Sequence, residues 1–363
     1  MLSLVNPVEV RRSCRRFLTA QAQARHNMRD RLLALAARPE ADGDDPDIYG
    51  NGGPVTEVER RVAELLGKPA ARWVPKGMIA QQAALRTWTE RTGRPTVALH
   101  PLSHLDRDES SAYERLHALR PIRVGELTPF TVKDLDEAGE TPGVVIVELP
   151  LRFAGLLLPE WDDLVAISEW CRKRRIPLHL DGARLWESAP YYGRSLAEIA
   201  ALAESVYVSF YKGLGGLAGS ALAGELDFLA GCGPWLQRHG AQLFHSYPYA
   251  LAALNGLDTQ LPKLAGFRHR AITLGAAIGE LDGVFVTPQP PQVNGFHVYL
   301  PGTPDVLRER HLELAATHGD WLFGFFAPTS AQGQSVVEIQ VGDPTAAFTD
   351  DEVVERIRQL IGR

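Results

Sequence analysis

Lysine is scarce in this sequence: of 38 basic residues only 6 are lysine and 32 are arginine. Where the chain needs only a positive charge it uses arginine, so each lysine must be questioned individually. Cysteine is scarce too. Cys14, Cys171 and Cys232 lie far apart and show no C-x-x-C or His-linked spacing. That argues against a metal site and suits free thiols in a reducing compartment, so a cytoplasmic location is expected. No segment reaches the ~18 consecutive apolar residues of a membrane helix. There is no basic excess either: the formal net charge is -6, which argues against a nucleic-acid partner bound through phosphates. The basic run Arg11, Arg12, Arg15 and Arg16 has no apolar stretch behind it. It therefore reads as a solvated arm or subunit contact rather than a signal peptide.

The 363 residues, 45% of them apolar, can bury a large core and should divide into two domains. Residues 55–67 set Val58, Val62, Leu65 and Leu66 on one helical face, with Thr56 and Glu59 spaced as a capping box. A second helix is expected from about Pro159 to Arg175, closed by the cationic cluster 172–175. The runs VVIVEL (144–149), PLHLD (177–181) and SVYVSF (205–210) are too apolar for half-exposed strands, and residues 195–204 read as a helix between the last two. This alternation predicts an α/β domain with a mostly parallel sheet, whose ligands gather at strand C-termini. Beyond about residue 260 come a long helical stretch, a turn-rich segment (286–295) and the strand FHVYL (296–300). A last helix follows Thr349 and Glu352 as a capping box, with Val353, Val354, Ile357 and Leu360 as its buried face. The boundaries read as an N-terminal arm (1–40), a large domain (41–260) and a smaller α+β domain (261–363).

Two motifs carry chemistry. In HLDGARLWE (179–187), Asp181 ends a buried strand and would lose much of its water. Such a carboxylate needs a cationic or hydrogen-bonded partner, and a ligand pyridinium suffices, although Asp181 taken alone could equally be the N-cap of the next helix. In SVYVSFYKGLGG (205–216), Lys212 stands after another buried strand and before a glycine-rich turn. An amine in a partly desolvated cleft has a lowered pKa and can form an imine, which arginine cannot. Strand, helix, strand brings the pair to one sheet edge, where a pyridine ring could span them with its nitrogen on the acid and its aldehyde carbon on the amine.

These motifs, preceded by GDDPDIYGNGGPVTEVERRVAELLGKPAARWVPKG (43–77), resemble the threonine aldolase and aromatic amino acid β-eliminating lyase family, fold-type I enzymes dependent on pyridoxal 5'-phosphate (PLP). The resemblance covers most of residues 40–260. It implies that Lys212 is the Schiff-base lysine, Asp181 the pyridinium partner, and Arg184 a contact to the amino-acid carboxylate. It matches His104 to the histidine that stacks on the cofactor ring and Glu109 to the acid five positions later. It also implies a homodimer or homotetramer with sites between subunits, which Tyr49 would reach. The sequence departs from the family in three places. Lys76, Gly77 and Met78 replace a Ser-Gly-Thr phosphate turn, so Gly77, the following backbone N–H groups and the Lys76 charge are left to hold the phosphate. Tyr211 replaces a serine before the lysine. Glu338 stands where a second carboxylate-binding arginine is expected.

The resemblance implies cleavage of a β-hydroxy-α-amino acid of the threonine or allo-threonine type to glycine and an aldehyde, with Lys212, His104 and Asp181 as the catalytic group. A β-eliminating lyase with the same cofactor is one alternative. A PLP-fold protein without turnover, suggested by the altered phosphate turn and Glu338, is another.

Overall fold

The computed structural model describes residues 6–19 and 27–362. They fall into two compact units, one formed by Asn27–Pro262 and the other by the N-terminal residues together with Lys263–Arg363.

The larger unit is built on a seven-stranded sheet. In chain order its strands are β1 (Ala70–Val74), β2 (Thr96–Leu99), β3 (Arg120–Arg123), β4 (Val144–Glu148), β5 (Leu178–Gly182), β6 (Ser205–Ser209) and β7 (Ser220–Gly224). Across the sheet they run β1-β7-β6-β5-β4-β2-β3. Strand β7 is antiparallel to both its neighbours, and the other neighbouring pairs are parallel. Val97, Leu99, Val144, Leu178, Leu180, Val206 and Val208 are wholly buried, which is why these strands read as continuous apolar runs rather than alternating ones.

Five helices matter for the argument: α1 (Gly53–Leu66), α2 (Gly77–Thr92), α3 (Trp161–Arg174), α4 (Leu185–Tyr192) and α5 (Leu226–Arg238). Helix α2 buries Ala80, Ala83 and Ala84 against Tyr207, Leu222 and Phe228; their small side chains let its backbone lie close to the sheet. Helix α1 buries Val58, Val62 and Leu66 as its periodicity predicts, with Val55 added and Leu65 only half-buried. Its capping box does not form. Gly52 is the N-cap and Pro54 occupies the first turn, where a missing N–H costs nothing. Thr56 therefore lies inside the helix, and the Glu59 carboxylate accepts the Trp73 N–H at 2.7 Å, tying α1 to β1. Helix α3 starts at Trp161 and keeps its cationic last turn. The helix expected over 195–204 is shorter, Leu196–Ala200, and opens on a capping box of Ser195 and Glu198.

The smaller unit holds a four-stranded antiparallel sheet, in the order β10-β11-β9-β8, of β8 (Phe285–Thr287), β9 (Gly295–Pro301), β10 (Ala327–Pro328) and β11 (Gln334–Gln340). The turn-rich segment thus contains part of a strand. Val337 and Ile339 of β11 face Phe296, Val298 and Leu300 in the core, while residues between them point the other way, the two-residue alternation of a half-covered sheet. Helices α6 (Leu264–Gly279) and α7 (Asp350–Ile361) pack on this core. The Thr349–Glu352 capping box of α7 forms. Val353, Ile357 and Leu360 are buried, while Val354 falls off that stripe and is half-buried. Arg16, read as part of a solvated arm, instead grips Asp320 through Nε at 2.7 Å and Nη2 at 2.8 Å, and Glu352 at 2.8 Å. Its strand, Arg16–Phe17, pairs in parallel with Asp320–Trp321. Among the described residues no helix is long and apolar enough to cross a membrane.

Candidate active site

Five strands of the larger sheet, β1, β2, β4, β5 and β6, end at the same edge, and the residues that follow them line one cavity of about 280 Å3. The size lies near the lower end for small-molecule sites, roughly 300–1,000 Å3. After β1 come Lys76, Gly77 and Met78; after β2, His104, Asp108 and Glu109; at the end of β4, Glu148, with Arg152 beyond it. Strand β5 contributes Asp181 and then Arg184, and β6 contributes Tyr207 and then Tyr211 and Lys212.

Asp181 is a strand-end carboxylate and not a helix cap: α4 begins four residues later with Arg184 as its N-cap. Its Oδ1 accepts the Ala183 N–H at 3.1 Å, which turns the chain out of the sheet. Asp181 is 3% exposed, and burial raises its pKa to about 6, against the pull of His104. Lys212 is desolvated and lies near the Arg184 guanidinium; the two effects lower its pKa to about 8, partly opposed by Asp181. A buried acid with a raised pKa and an amine with a lowered one therefore stand at the ends of adjacent parallel strands.

His104 heads a short helix, and its backbone N–H donates to Glu148 at 2.7 Å. Its ring Nδ1 lies 3.2 Å from Glu109 Oε1. Glu109 is buried and also accepts from Gln82 Nε2 at 2.9 Å. A carboxylate only accepts, so Nδ1 carries a hydrogen and Nε2 is left to exchange protons with a ligand. The hydrogen bond to Glu109 raises the His104 pKa, and burial works against it.

Sequence reasoning did not single out Glu148, Arg152, Gln81, Tyr207 or Glu187. Glu148 sits beside Asp181 in the β4–β5 register. It accepts the N–H groups of His104 and Arg152, the latter at 3.1 Å. Burial, and then the Asp181 charge, raise its pKa to about 7. An acidic residue closing the apolar run VVIVEL was the same signal that marked Asp181. Glu187, also buried, packs against the loop after Lys212: a Cβ added at Gly213 would meet Glu187 Oε1 at 2.2 Å.

Two residues named from the sequence lie elsewhere. Tyr49 is 51% exposed, holds a left-handed φ of 51° and packs edge-on against Phe244; it is not among the residues lining the cavity. Glu338 lies on β11 in the smaller unit, where its carboxylate faces His297 Nε2 at 3.5 Å across the strand pair.

The lining fits PLP on three observations. The buried Asp181 carboxylate would gain from a pyridinium. Helix α2 opens without a side-chain cap, and its first residues line the cavity, so its N–H groups and dipole suit a phosphate. Gln81, one turn further on the same face and 1% exposed, has an Nε2 with no partner among the described residues.

Comparison with known proteins agrees with this chemistry. Residues 20–301 match the model of the beta-eliminating lyase family, whose members are PLP-dependent. A solved structure of a candidate L-allo-threonine aldolase from Listeria monocytogenes is 35% identical, with a TM-score of 0.90, over 98% of this chain and 99% of that one. Among curated proteins, the aldolase vrtJ of Penicillium aethiopicum is 35% identical over 53% of this chain and 50% of its own length. The low-specificity L-threonine aldolase of Escherichia coli K12 is 28% identical over 64% of this chain and 70% of its own. The match to the first curated relatives thus spans between half and about 60% of their length. The fold expected from the sequence, a fold-type I α/β architecture with a mostly parallel sheet, is the fold observed. By its fold, its strand-end lysine and acid, and a family match running through most of its length, the chain belongs to the beta-eliminating lyase family.

Proposed function

We propose that the protein is a PLP-dependent aldehyde-lyase that cleaves a β-hydroxy-α-amino acid, of the threonine or allo-threonine type, to glycine and an aldehyde. The observation that carries this reading is the cavity at five strand ends, with Asp181 and Lys212 at the ends of adjacent strands and an oriented imidazole among the lining residues. Asp181 would hold the pyridine nitrogen, Lys212 the aldehyde carbon, and the start of α2 with Lys76, Gly77 and Met78 the phosphate. When bound, PLP supplies a sink for the electrons released as the Cα–Cβ bond breaks.

The remaining work falls to the chain. Arg184, at the start of α4, would take the substrate carboxylate; a guanidinium does so through two parallel hydrogen bonds and thereby fixes which Cα bond faces the ring. His104, with Nδ1–H held by Glu109, would accept the β-hydroxyl proton at Nε2. Lys212, with its pKa lowered to about 8, is partly neutral near physiological pH and can attack a carbonyl carbon. Glu148 accepts backbone N–H groups of the loops bearing His104 and Arg152 and so keeps both beside the acid. A homo-oligomeric, cytoplasmic enzyme completes the reading.

The test is a panel of L-threonine, L-allo-threonine, β-phenylserine, serine and cysteine given to the purified holoenzyme. Glycine with the matching aldehyde, and no pyruvate, is the expected outcome. Pyruvate with ammonia would assign β-elimination instead. Light scattering of the same sample checks the assembly, with which the mass of a single chain would be incompatible.

A further inference from the structure

The turn between β1 and α2 carries no side-chain hydroxyl, since Lys76, Gly77 and Met78 occupy it. The fold brings two hydroxyls to that turn from elsewhere. Tyr207, on β6, lies over Gly77 so closely that a Cβ added there would sit 1.9 Å from Tyr207 Oη and 2.5 Å from Cζ. Glycine is required at position 77 because a phenol already occupies the space above it. Tyr211, just past the end of β6, lies close enough to Tyr207 to act on its phenol by charge. The Tyr211 ring lies 5.6 Å from Lys76 Nζ and 5.7 Å from Lys212 Nζ, close to both amines. Both tyrosines line the cavity with Lys76, Gly77 and Met78. Burial holds the Tyr207 phenol protonated far above neutral pH, so it meets an anion as a donor. Gln81, whose Oε1 meets His179 Nε2 at 2.8 Å while its Nε2 has no partner among the described residues, lines the same cavity from the face of α2 that bears Gly77.

We propose that Tyr207 and Tyr211 donate their phenolic hydroxyls to the phosphate of the bound cofactor, in place of hydroxyl donors missing from the β1–α2 turn. This rests on the reading of the cavity as a PLP site. Two phenols, a helix N-terminus and the Lys76 ammonium together make a phosphate subsite whose donors come from two strands. A merely structural role, in which the phenols only fill space beneath α2, has a different signature: it would ignore whether the ligand carries a phosphate.

The discriminating experiment titrates cofactor-depleted full-length protein with PLP and, separately, with pyridoxal, which has the same ring and aldehyde and lacks the phosphate. The absorbance of the adduct on Lys212 reports binding. Loss of a hydrogen bond to a charged group should weaken PLP binding about tenfold or more in Tyr207→Phe and in Tyr211→Phe, and leave pyridoxal binding unchanged. Inorganic phosphate should compete with PLP in the parent protein and less well in either variant. Circular dichroism and thermal melting of both variants check the fold. Equal weakening of PLP and pyridoxal, or no weakening of either, overturns the subsite. A parent protein that binds PLP no better than pyridoxal overturns it as well. A parent protein that forms no adduct with either aldehyde sinks the PLP reading itself.

Discussion

His104 Nδ1 lies 3.2 Å from Glu109 Oε1, and Glu109 is held in turn by Gln82 Nε2 at 2.9 Å. This contact with a buried carboxylate sets both the tautomer and the proton affinity of the half-buried imidazole that faces the cavity. Glu109 raises the His104 pKa, and the base is active when neutral, so activity should rise with pH through the raised value. In Glu109→Gln that limb of the kcat profile should move to lower pH, with kcat reduced because the ring is no longer held in one tautomer. His104→Ala should lose about a hundredfold or more in kcat, the range of general base catalysis. An unmoved acidic limb in Glu109→Gln would disprove the coupling.

Asp181 should act in opposite directions on binding and on stability. Its buried carboxyl has a pKa of about 6, raised from 3.8. In the cofactor-depleted protein this is a destabilised anion: the folded state binds the proton more tightly than the unfolded state, and stability falls as pH rises from about 4 to 6. Asp181→Asn should therefore stabilise the cofactor-depleted protein at pH 8 by up to about 3 kcal/mol, seen as a higher melting temperature, and leave its stability unchanged at pH 4. The same variant should lose most of its PLP affinity. Destabilisation at pH 8 would count against this account.

Cofactor affinity should also fall for the parent protein as pH drops through about 6, because protonation of Asp181 removes the charge that meets a pyridinium. Titrations with PLP at pH 5 and pH 8 test this, with the Asn variant expected to show the smaller difference.

Lys212 should label as an amine of pKa about 8. In cofactor-depleted protein its reaction rate with an amine-directed acylating reagent should rise through that pH. Lys212→Arg should abolish both the labelling at this position and the absorbance of the cofactor adduct, since a guanidinium forms no imine.

Gly77→Ala should destabilise the protein by about 1–3 kcal/mol, the usual cost of forcing a methyl group into filled space. The clash is with Tyr207 Oη and Cζ, so removing only the hydroxyl should not rescue it, whereas Tyr207→Ala should do so in part. Calorimetry on the single and double variants gives the comparison.

Much of this was legible in the sequence because the decisive residues are punctuation marks in apolar runs. Asp181 and Lys212 are polar ends of buried strands, and a parallel sheet brings such ends together whatever the loops do. Glu148 carried the same mark and was passed over for want of a motif around it. Tyr207 was not legible: within SVYVSF it reads as one more strand residue, and its meeting with Gly77 depends on how far α2 sinks toward the sheet over Ala80, Ala83 and Ala84. The misplaced capping box in α1 has a similar cause. Thr56 and Glu59 have the right spacing, but Gly52 and Pro54 start the helix earlier and free Glu59 to hold the Trp73 N–H. Strand β7 also escaped notice, since Ser220–Gly224 has low intrinsic strand preference and is strand because two neighbours pair with it.

That inconspicuous strand has a consequence of its own. It contributes no residue to the cavity lining, yet it lies between β1 and β6, and neighbouring strands are spaced about 4.8 Å apart. The ends of β1 and β6, from which the turn into α2 and the turn bearing Lys212 depart, are therefore two strand widths apart, about 10 Å. Substitutions in the loops can change which groups face a ligand, but this gap changes only in whole-strand steps. Strand β7 thus sets the spacing of the two strand ends from which the Lys76–Met78 and Tyr211–Lys212 turns depart.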